Sequence, residues 1–369
     1  MAAPVLVLKP NPRPQKIKLA HHKSMNLPIP SNEPHELPHI VVLGAGAIGG
    51  YLGGWLTATG ANVTLLGRSN AHQTEEAHGL TLTDLHQRKK VLKPLDVRFS
   101  TEPEVLQLAD FILVTVKSRD TETAAELIHT HAKPNATVIS FQNGVGNAEQ
   151  LANHLPHHNV IAGMVPFNVV TLAQGHLHCG TEGNLSVKRH PCVAPLLPLF
   201  ERAGLPLQQF DQFTEVQWGK LILNLNNAVN ALSDLPLKEE LSQHAYRQCL
   251  AALIAETLVV LKIAGIKPAK VSKVSPALLP YILRLPNFVF KRLAASMLKI
   301  DEKARSSMWD DLQMKRTTEV NELNGAVVRL AQANGTKAPL NAKMVELIQL
   351  AEGGQMKGLS GSALLQKLN

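Results

Sequence analysis

A glycine-rich turn between two short apolar runs constrains the fold of this 369-residue chain more than any other feature. The run Ile40–Leu43 leads directly into Gly44-x-Gly46-x-x-Gly49, a helical segment that bears Ala and Leu follows, and a second apolar run ends at Arg68. We interpret this order as strand, turn, helix and strand. In that arrangement a dinucleotide pyrophosphate lies at the helix N-terminus, where free N–H groups and the helix dipole favour an anion. The alternative is a tight turn without a ligand.

The residue at the end of the second run indicates which dinucleotide binds. Proteins that bind NAD usually place Asp or Glu there, since a carboxylate accepts a hydrogen bond from the ribose 2′-hydroxyl. Arg68 is a cation, and a cation accommodates a 2′-phosphate instead. The sequence therefore predicts an NADP-binding protein.

The pattern of the chain predicts an α/β Rossmann-type N-terminal domain plus an all-α C-terminal domain. Residues 1–38 are rich in proline and predict a disordered tail. Residues 39–211 alternate between strand and helix, which is typical of a parallel, doubly wound sheet, and residues 212–369 have helical spacing. Strands are predicted near 39–43, 62–66, 111–116, 136–141 and 159–163, and helices near 47–59, 120–131, 146–154, 244–264, 308–333 and 340–352.

Two segments carry more specific expectations. Glycines divide residues 166–188 into short β-like runs, which predicts an antiparallel addition to the sheet. From Ser307 into the predicted helix 308–333, a polar residue recurs at every fourth position, and Asn324-Gly325 marks either a break or a tight contact. The recurring residues are Ser307, Asp311, Lys315 and Glu319.

Composition narrows the classes of function. The chain has a formal net charge of +8 but only 4% aromatic residues, and no aromatics interleave with basic clusters as a nucleic-acid platform requires. Cys179, Cys192 and Cys249 are far apart and have no metal-binding spacing, which favours a reduced, cytoplasmic environment. Glycines interrupt the uncharged stretch Ile40–Leu66 and argue against a membrane span. We therefore expect a small anionic partner and no metal, nucleic acid or membrane.

Two further strand ends supply candidate site residues, because strand C-termini of a doubly wound sheet face the ligand crevice. Lys117 ends an apolar strand and is placed near a cofactor or an anionic substrate. Asn143 follows another strand and is able to donate hydrogen bonds to a ribose, a nicotinamide or a carbonyl. The alternatives are a solvated strand-end charge for Lys117 and an ordinary Asn-Gly turn for Asn143.

The helical half contributes a cation and amides with helical spacing. Lys220, Asn224 and Asn227 lie on one predicted face, while Leu221 and Leu225 point toward a core. Such a face suits an anionic small molecule, and Lys220 is positioned to protonate a carbonyl oxygen. Further along, Glu319 is a candidate to accept a substrate hydroxyl or to pair with a lysine, and Lys315 and Glu319 would otherwise be an ordinary helix pair.

Taken together, these residues resemble the ketopantoate reductase family (2-dehydropantoate 2-reductase). The matching pieces are Gly44-Ala-Gly-Ala-Ile-Gly49, Arg68, Val116-Lys117, Gln142-Asn-Gly144, Trp218-Gly-Lys-Leu221 with Asn224, and Ser306-Ser-Met308 with Thr318-Glu319. The resemblance implies NADPH-dependent reduction of ketopantoate to pantoate, on the route to pantothenate and coenzyme A. It does not determine the oligomeric state, and a homodimer is one possibility.

The resemblance also implies a role for each matching residue. The cofactor would contact Gly44, Gly46, Ala47, Ile48, Gly49, Arg68, Lys117 and Asn143, with Arg68 on the 2′-phosphate. Lys220 would be the general acid, and Glu319 would bind and orient on the far side of the site. The substrate would contact Asn143, Asn224 and Ser307, with Asn227 as a replacement contact.

The chain departs from the family pattern at two positions where an Asn is expected. These positions hold Ala228, eight residues after the lysine, and Ala304, three residues before Ser307. Asn227 lies beside the first position and is the candidate to replace its contact. The departures keep open a related reductase of another 2-oxo acid, or a relative of opine or glycerol-phosphate dehydrogenases. An NADP-binding redox sensor without turnover is the alternative outside the enzymes, but it would not need Lys220 and Glu319.

Overall fold

The computed structural model describes residues 37–69, 78–271, 274–293, 304–356 and 358–368. Almost all of the proline-rich segment predicted to be disordered lies outside these residues, so that expectation stays a prediction. Within the described ranges, no helix combines the length and the apolar character needed to cross a membrane.

The first half of the chain forms a large, mainly parallel sheet with the strand order β12-β11-β8-β7-β6-β1-β2-β5. The strands of this half are β1 (His39–Leu43), β2 (Asn62–Leu66), β3 (Leu80–Asp84), β4 (Lys89–Leu92), β5 (Arg98–Ser100), β6 (Phe111–Val114), β7 (Thr137–Ser140), β8 (Asn159–Met164), β9 (Val169–Ala173), β10 (His176–Cys179), β11 (Leu185–Lys188) and β12 (Leu207–Phe210). The predicted doubly wound sheet is confirmed, and each of the five strands predicted for it is present.

The centre of the large sheet determines where a ligand can approach. Strand β1 pairs in parallel with β2 on one side and with β6 on the other, so the strand order reverses at β1. Layers on both faces bury β1 and β6, which explains why both are continuous apolar runs. In open α/β sheets the crevice beyond the carboxyl ends at such a reversal is where ligands bind.

A second, four-stranded sheet with the order β4-β3-β10-β9 covers the outer side of helix α1 (Ala47–Ala58). Two adjacent glycines in α1 allow this sandwich: a Cβ on Gly53 would collide with Leu65 of the large sheet, and one on Gly54 would collide with Leu82 of the small sheet. Strands β9 and β10 pair antiparallel, as the segment 166–188 predicts, but they belong to the small sheet. Only β11 returns to the large sheet, antiparallel to β8. The sequence pattern does not predict the strands between 80 and 100.

The helices of the described residues form two groups, one associated with the sheets and one that follows the last strand. Those associated with the sheets are α1, α2 (Thr121–His131), α3 (Asn147–His154) and α4 (Leu197–Arg202). The remainder are α5 (Phe213–Asn224), α6 (Asn226–Ser233), α7 (Leu237–Ser242), α8 (His244–Ile263), α9 (Leu279–Leu283), α10 (Asn287–Leu293), α11 (Ser307–Gln313), α12 (Val320–Ala333), α13 (Pro339–Glu352) and α14 (Gly361–Leu368). These last ten share one apolar core that includes Leu221, Leu225 and Leu232, which confirms the all-α character predicted for this half.

One predicted helix is wrong, and the error changes the site. The structure replaces the continuous helix over 308–333 by α11 and α12, with a break from Met314 to Glu319. Lys315 adopts a positive φ of 51°, and the Arg316 N–H returns to the Asp311 carbonyl at 2.8 Å, which closes α11. The four-residue recurrence from Ser307 to Glu319 is therefore not one helical face, and Lys315 and Glu319 are not a helix pair.

The Asn324-Gly325 pair does not break the helix, because both residues lie inside α12. The other expectation for this pair, a tight contact, fits Asn324: it is fully buried, and its Nδ2 donates to Asn341 Oδ1 at 3.0 Å. The amide is thus a packing contact between α12 and α13.

Candidate functional site

The glycine turn after β1 has a backbone that side chains would disrupt at two of its three glycines. Gly44 has a φ of 109°, and a Cβ there would lie 2.7 Å from the Val116 nitrogen. A Cβ on Gly49 would collide with the Gly44 carbonyl oxygen and would lie 2.5 Å from Thr115 Oγ1. The turn therefore packs tightly against the end of β6, as the first and third glycines of a dinucleotide turn do.

The middle glycine is different, because its missing side chain leaves open space. Gly46 is exposed, and apart from its own neighbours along the chain no described atom lies within 4 Å of the position a Cβ would take. It is also the N-cap of α1, and none of the described side chains caps this end of the helix. The N–H groups of Ala47 and Ile48 open the first turn there, where a helix N-terminus attracts an anion. The cradle fits a dinucleotide pyrophosphate.

Arg68 lies two residues beyond β2, at the same sheet edge as the glycine turn. Its side chain is 81% exposed, and its Nη2 donates to Asp120 Oδ2 at 3.1 Å. An exposed ion pair of this kind contributes only about 0–1 kcal/mol. The guanidinium is therefore available to a competing anion at little energetic cost.

Lys117 joins the sheet to the helical half through two buried carboxylates. Its Nζ lies 3.1 Å from Asp311 Oδ2 and 3.6 Å from Glu319 Oε2. Both acidic residues are less than 10% exposed, whereas the Lys117 side chain is 36% exposed. Asp311 is on α11 and Glu319 immediately precedes α12, so the break between these helices places both carboxylates beside one ammonium.

The protonation of this cluster follows from burial and charge together. Burial by itself lowers the pKa of Lys117, but the neighbouring Glu319 and Asp311 carboxylates outweigh it and raise the pKa above its usual value. Burial raises the pKa of Asp311 despite the Lys117 charge. The cluster has two acids for one base, so a proton or a ligand cation can join it without leaving an unpaired positive charge.

Asn143 connects the same cluster to the turn after β7. Its Nδ2 donates to Glu319 Oε2 at 3.3 Å, and its backbone carbonyl accepts from Asn147 Nδ2 at 2.6 Å and from Ser118 Oγ at 3.1 Å. Gly144, next in the chain, has a φ of 85° and packs against the backbone of Glu322. The chain thus bends at the Asn-Gly dipeptide, which agrees with the alternative interpretation of an Asn-Gly turn. The same bend directs the Asn143 amide toward Glu319.

Lys220 lies apart from this cluster, on α5. Its Nζ donates to the Pro166 carbonyl at 2.9 Å, in the segment that follows β8. The side chain is half-buried and the protein surrounds its ammonium group, so desolvation lowers the pKa of Lys220 to about 8. Within the described residues, no hydrogen bond or ion pair links Lys220 with Glu319. A desolvated ammonium that is held by one neutral carbonyl is a competent proton donor near neutral pH.

The remaining predicted substrate residues lie around the junction of α5, α6 and α11. Asn224 is buried at the end of α5, and the Asn227 carbonyl accepts from Ser306 Oγ at 3.1 Å. Ser306 is the N-cap of α11, since its Oγ accepts from the Trp309 N–H. Ser307, one residue later, is exposed. Ser306 therefore has the structural role, and Ser307 is the serine of the pair that is free to meet a ligand.

The structure thus brings Lys117 and Asn143 each into contact with Glu319 and leaves Arg68 and Lys220 at separate positions. Two residues of the cluster, Asp311 and Ser118, were not assigned to the site from sequence. Ser118 follows Lys117 directly at a strand end, which is a usable signal. Asp311 had no usable signal, because the helix break that directs it to Lys117 is not evident in the pattern. No described group of three or more His, Cys, Asp or Glu residues has the arrangement of a metal site.

Comparison with known proteins matches both halves of the chain. A family model described as ketopantoate reductase PanE/ApbA matches residues 40–191, and the C-terminal model of the same family matches residues 212–352. A 2-dehydropantoate 2-reductase from Halobacterium salinarum is 27% identical over 320 residues, which cover 85% of this chain and 98% of that protein.

Solved structures give the same result. A PanE/ApbA family ketopantoate reductase from Ralstonia eutropha JMP134 is 30% identical, with a TM-score of 0.73 over 86% of this chain and 99% of that one. A D-mandelate dehydrogenase, solved with NADH and anilino(oxo)acetate, is 20% identical with a TM-score of 0.71 over 86% of this chain and 99% of that one, and shares the fold. Because the two family models together match most of the sequence, the chain belongs to the ketopantoate reductase family.

Proposed function

We propose that this oxidoreductase reduces the 2-oxo group of 2-dehydropantoate with NADPH and releases pantoate, a step of pantothenate and coenzyme A biosynthesis. The observation that carries the proposal is the desolvated Lys220 ammonium, whose pKa of about 8 suits proton donation, in a chain of this family. We retain with it the predicted division into residues 39–211 for the cofactor and 212–369 for the substrate. The cytoplasmic location and the homodimer also remain predictions.

The cofactor residues follow from the geometry at the sheet edge. The open side of Gly46 and the uncapped start of α1 fit the pyrophosphate, with Gly44 and Gly49 holding the turn in shape. Arg68 suits the 2′-phosphate because its exposed guanidinium gives up only a weak ion pair with Asp120. When bound, the nicotinamide supplies the hydride.

Lys220 is the proposed general acid. As a hydride adds to C2 of the substrate, the C=O π bond breaks and negative charge develops on the oxygen. The Nζ ammonium stabilises this charge and transfers a proton to it, so that a C–H and an O–H bond form, and Lys220 regains its proton from water. Its pKa of about 8 keeps the group mostly charged near neutral pH while making it a stronger acid than an exposed lysine.

The substrate is proposed to contact Asn143, Asn224, Asn227 and Ser307, with Glu319 orienting it. Glu319 is already fixed by Lys117 and Asn143, so it offers a rigid acceptor for a substrate hydroxyl. Ser307 is exposed at the N-terminus of α11, where hydroxyl and N–H groups favour a carboxylate.

A second candidate substrate class rests on the two alanines at amide positions. Ala228 is fully buried and Ala304 is half-buried, so neither position donates a hydrogen bond from a side chain. A site that lacks these donors discriminates less strongly for the hydroxyl group of ketopantoate. NADPH-dependent reduction of a less polar 2-oxo acid is therefore the alternative.

The experiment is a comparison of turnover rates. NADPH or NADH is mixed with the protein and with 2-dehydropantoate, pyruvate, 2-oxoisovalerate or oxaloacetate, and the loss of nicotinamide absorbance is followed. We expect 2-dehydropantoate with NADPH to have the highest kcat/KM by a wide margin. A higher value for another 2-oxo acid contradicts the substrate assignment, and equal values for NADH and NADPH contradict the cofactor assignment.

A further inference from the structure

A buried carboxyl group lies behind the helices that carry the proposed substrate residues. Glu240 of α7 is fully buried. Its Oε2 accepts two hydrogen bonds, from Asn230 Nδ2 at 3.0 Å and from Asn226 Nδ2 at 3.3 Å. Its other oxygen, Oε1, is buried and has no hydrogen-bond partner among the described residues, and the same holds for Asn226 Oδ1 on the neighbouring amide. One carboxyl–amide contact thus leaves one unsatisfied acceptor on each side.

Two buried acceptors without donors are costly, and a single proton satisfies both of them. A protonated Oε1 is a donor, and Asn226 Oδ1 is the unsatisfied acceptor on the amide that already donates to Glu240 Oε2. The amide N–H to Oε2 and the O–H from Oε1 to Oδ1 then close a ring of two hydrogen bonds. We propose that Glu240 is a neutral carboxylic acid that forms a cyclic acid–amide pair with Asn226 and positions the substrate-binding ends of α6 and α11.

The charges around Glu240 agree with a neutral acid. Arg247 of α8 donates instead to the carbonyls of Leu241, Leu283 and Leu285, and Arg305, which precedes α11, donates to the Asp234 carbonyl. Tyr246 and Cys249 face the carboxyl from α8, and Glu239 precedes it on α7. Burial raises the pKa of Tyr246 and brings that of Cys249 to about 12, so both are uncharged near neutral pH.

The partners of the Glu240 carboxyl on α6 are therefore two uncharged amides. Burial raises the pKa of Glu240 to about 8, although the hydrogen bonds from Asn230 and Asn226 act in the opposite direction. The neutral form assigned from geometry is thus also the form favoured near neutral pH.

The pair is connected to the substrate side through Asn230. While its Nδ2 donates to Glu240, its Oδ1 accepts from the Ser306 N–H at 2.9 Å. Ser306 Oγ caps α11 and donates to the Asn227 carbonyl at 3.1 Å. Ser307 and Asp311 follow on the same helix. Glu240 is therefore a positioning residue, and this part of the inference rests on the proposed function.

The first test measures protonation and does not depend on activity. Infrared difference spectra near neutral pH compare the protein with Glu240→Gln, and the exposed neighbour Glu239→Gln is the matched control. We expect the C=O band of a protonated carboxyl group to be lost in Glu240→Gln and retained in Glu239→Gln. Loss of only carboxylate bands in Glu240→Gln overturns the proposal.

The second test follows the unfolding midpoint with pH. Because the folded pKa of about 8 lies above the ordinary value of 4.5, the stability contributed by the neutral acid is complete below 4.5 and is lost as pH rises through 8. We expect Glu240→Gln to remove this decline, since Gln offers an N–H at the Oε1 position and cannot ionise. A decline of equal size in Glu240→Gln contradicts the neutral acid.

The third test measures positioning. Glu240→Gln should change KM for the 2-oxo acid by no more than about twofold. Glu240→Leu releases both amides and should raise KM by about 10- to 100-fold, with a smaller change in kcat than in KM. An unchanged KM in Glu240→Leu overturns the positioning role, even where the infrared band is present. If no 2-oxo acid is turned over, the proposed function fails, and the infrared and unfolding tests still decide the state of Glu240.

Discussion

The two sides of the proposed site are built in different ways. The side at the end of β1 is a backbone structure, in which glycines define a turn and a helix start, and the charged residue proposed to bind the cofactor there, Arg68, is exposed. The other side depends on half-buried and buried ionisable groups, namely Lys220, Lys117, Asp311 and Glu319. We infer that steric changes dominate on the first side, whereas changes of charge dominate on the second.

The largest expected effect comes from the charged side. Lys220→Ala should lower kcat by about 10²- to 10⁴-fold, because a positioned general acid contributes a factor of this size. The measurement is steady-state reduction of 2-dehydropantoate with NADPH, with the exposed Lys262→Ala as the matched control. A variant that keeps full kcat would exclude Lys220 as the acid.

The next effect tests the charge cluster. Lys117→Met leaves the buried Asp311 and Glu319 carboxylates without their cation, and it should lower the free energy of unfolding by about 1–3 kcal/mol near neutral pH. Burial already raises the pKa of Asp311, and protonation of this carboxyl group removes its repulsion with Glu319, so the loss should shrink at acid pH. Denaturant unfolding at neutral and at acid pH measures the loss of unfolding free energy and its dependence on pH. A loss of the same size at both pH values would mean that packing, not charge, is the cause.

A pair of glycine variants tests the steric side. Gly49→Ala places a Cβ against the Gly44 carbonyl and Thr115 and should destabilise the protein by about 1–3 kcal/mol. Gly46→Ala has open space and should leave thermal stability within about 0.5 kcal/mol of the parent, but it should weaken NADPH binding. Equal stability losses in the two variants would contradict the distinction between a packed and an open glycine.

The smallest effect on stability is expected at Arg68. Arg68→Asp should change the ratio of kcat/KM for NADPH over NADH by about 10- to 100-fold, since it removes a charge-assisted contact and adds repulsion. Because the Asp120 pair is exposed, the unfolding midpoint should barely change. An unaltered cofactor ratio would remove Arg68 from the phosphate role.

The same contrast explains how much the sequence could predict. The turn from Gly44 to Gly49 and the strands around it depend on local spacing, and the structure has them where the pattern places them. The Lys117–Asp311 pair joins positions 194 residues apart and needs the break after α11. Nothing in the polar recurrence from Ser307 to Glu319 distinguishes that break from a continuous helix.

The sequence also does not predict which ionisable side chains are buried. Glu240 lies in the segment Lys238-Glu-Glu-Leu241, which has the composition of an exposed helix start, and only the fold shows that Glu239 is exposed while Glu240 is enclosed. The pKa of Lys220 depends in the same way on atoms from elements that are distant in sequence. Residue type indicated which groups carry chemistry, but not which of them are desolvated.

The central claim is that Lys220 donates the proton during reduction of a 2-oxo acid. The most direct measurement is the pH dependence of kcat with NADPH, in the parent protein and in Glu240→Gln, which lacks the other group with a pKa of about 8. We predict that kcat falls as pH rises through about 8 in both proteins, because Lys220 loses its proton, and that Lys220→Ala shows no such fall. A fall that persists in Lys220→Ala, or is absent from Glu240→Gln, would contradict the account.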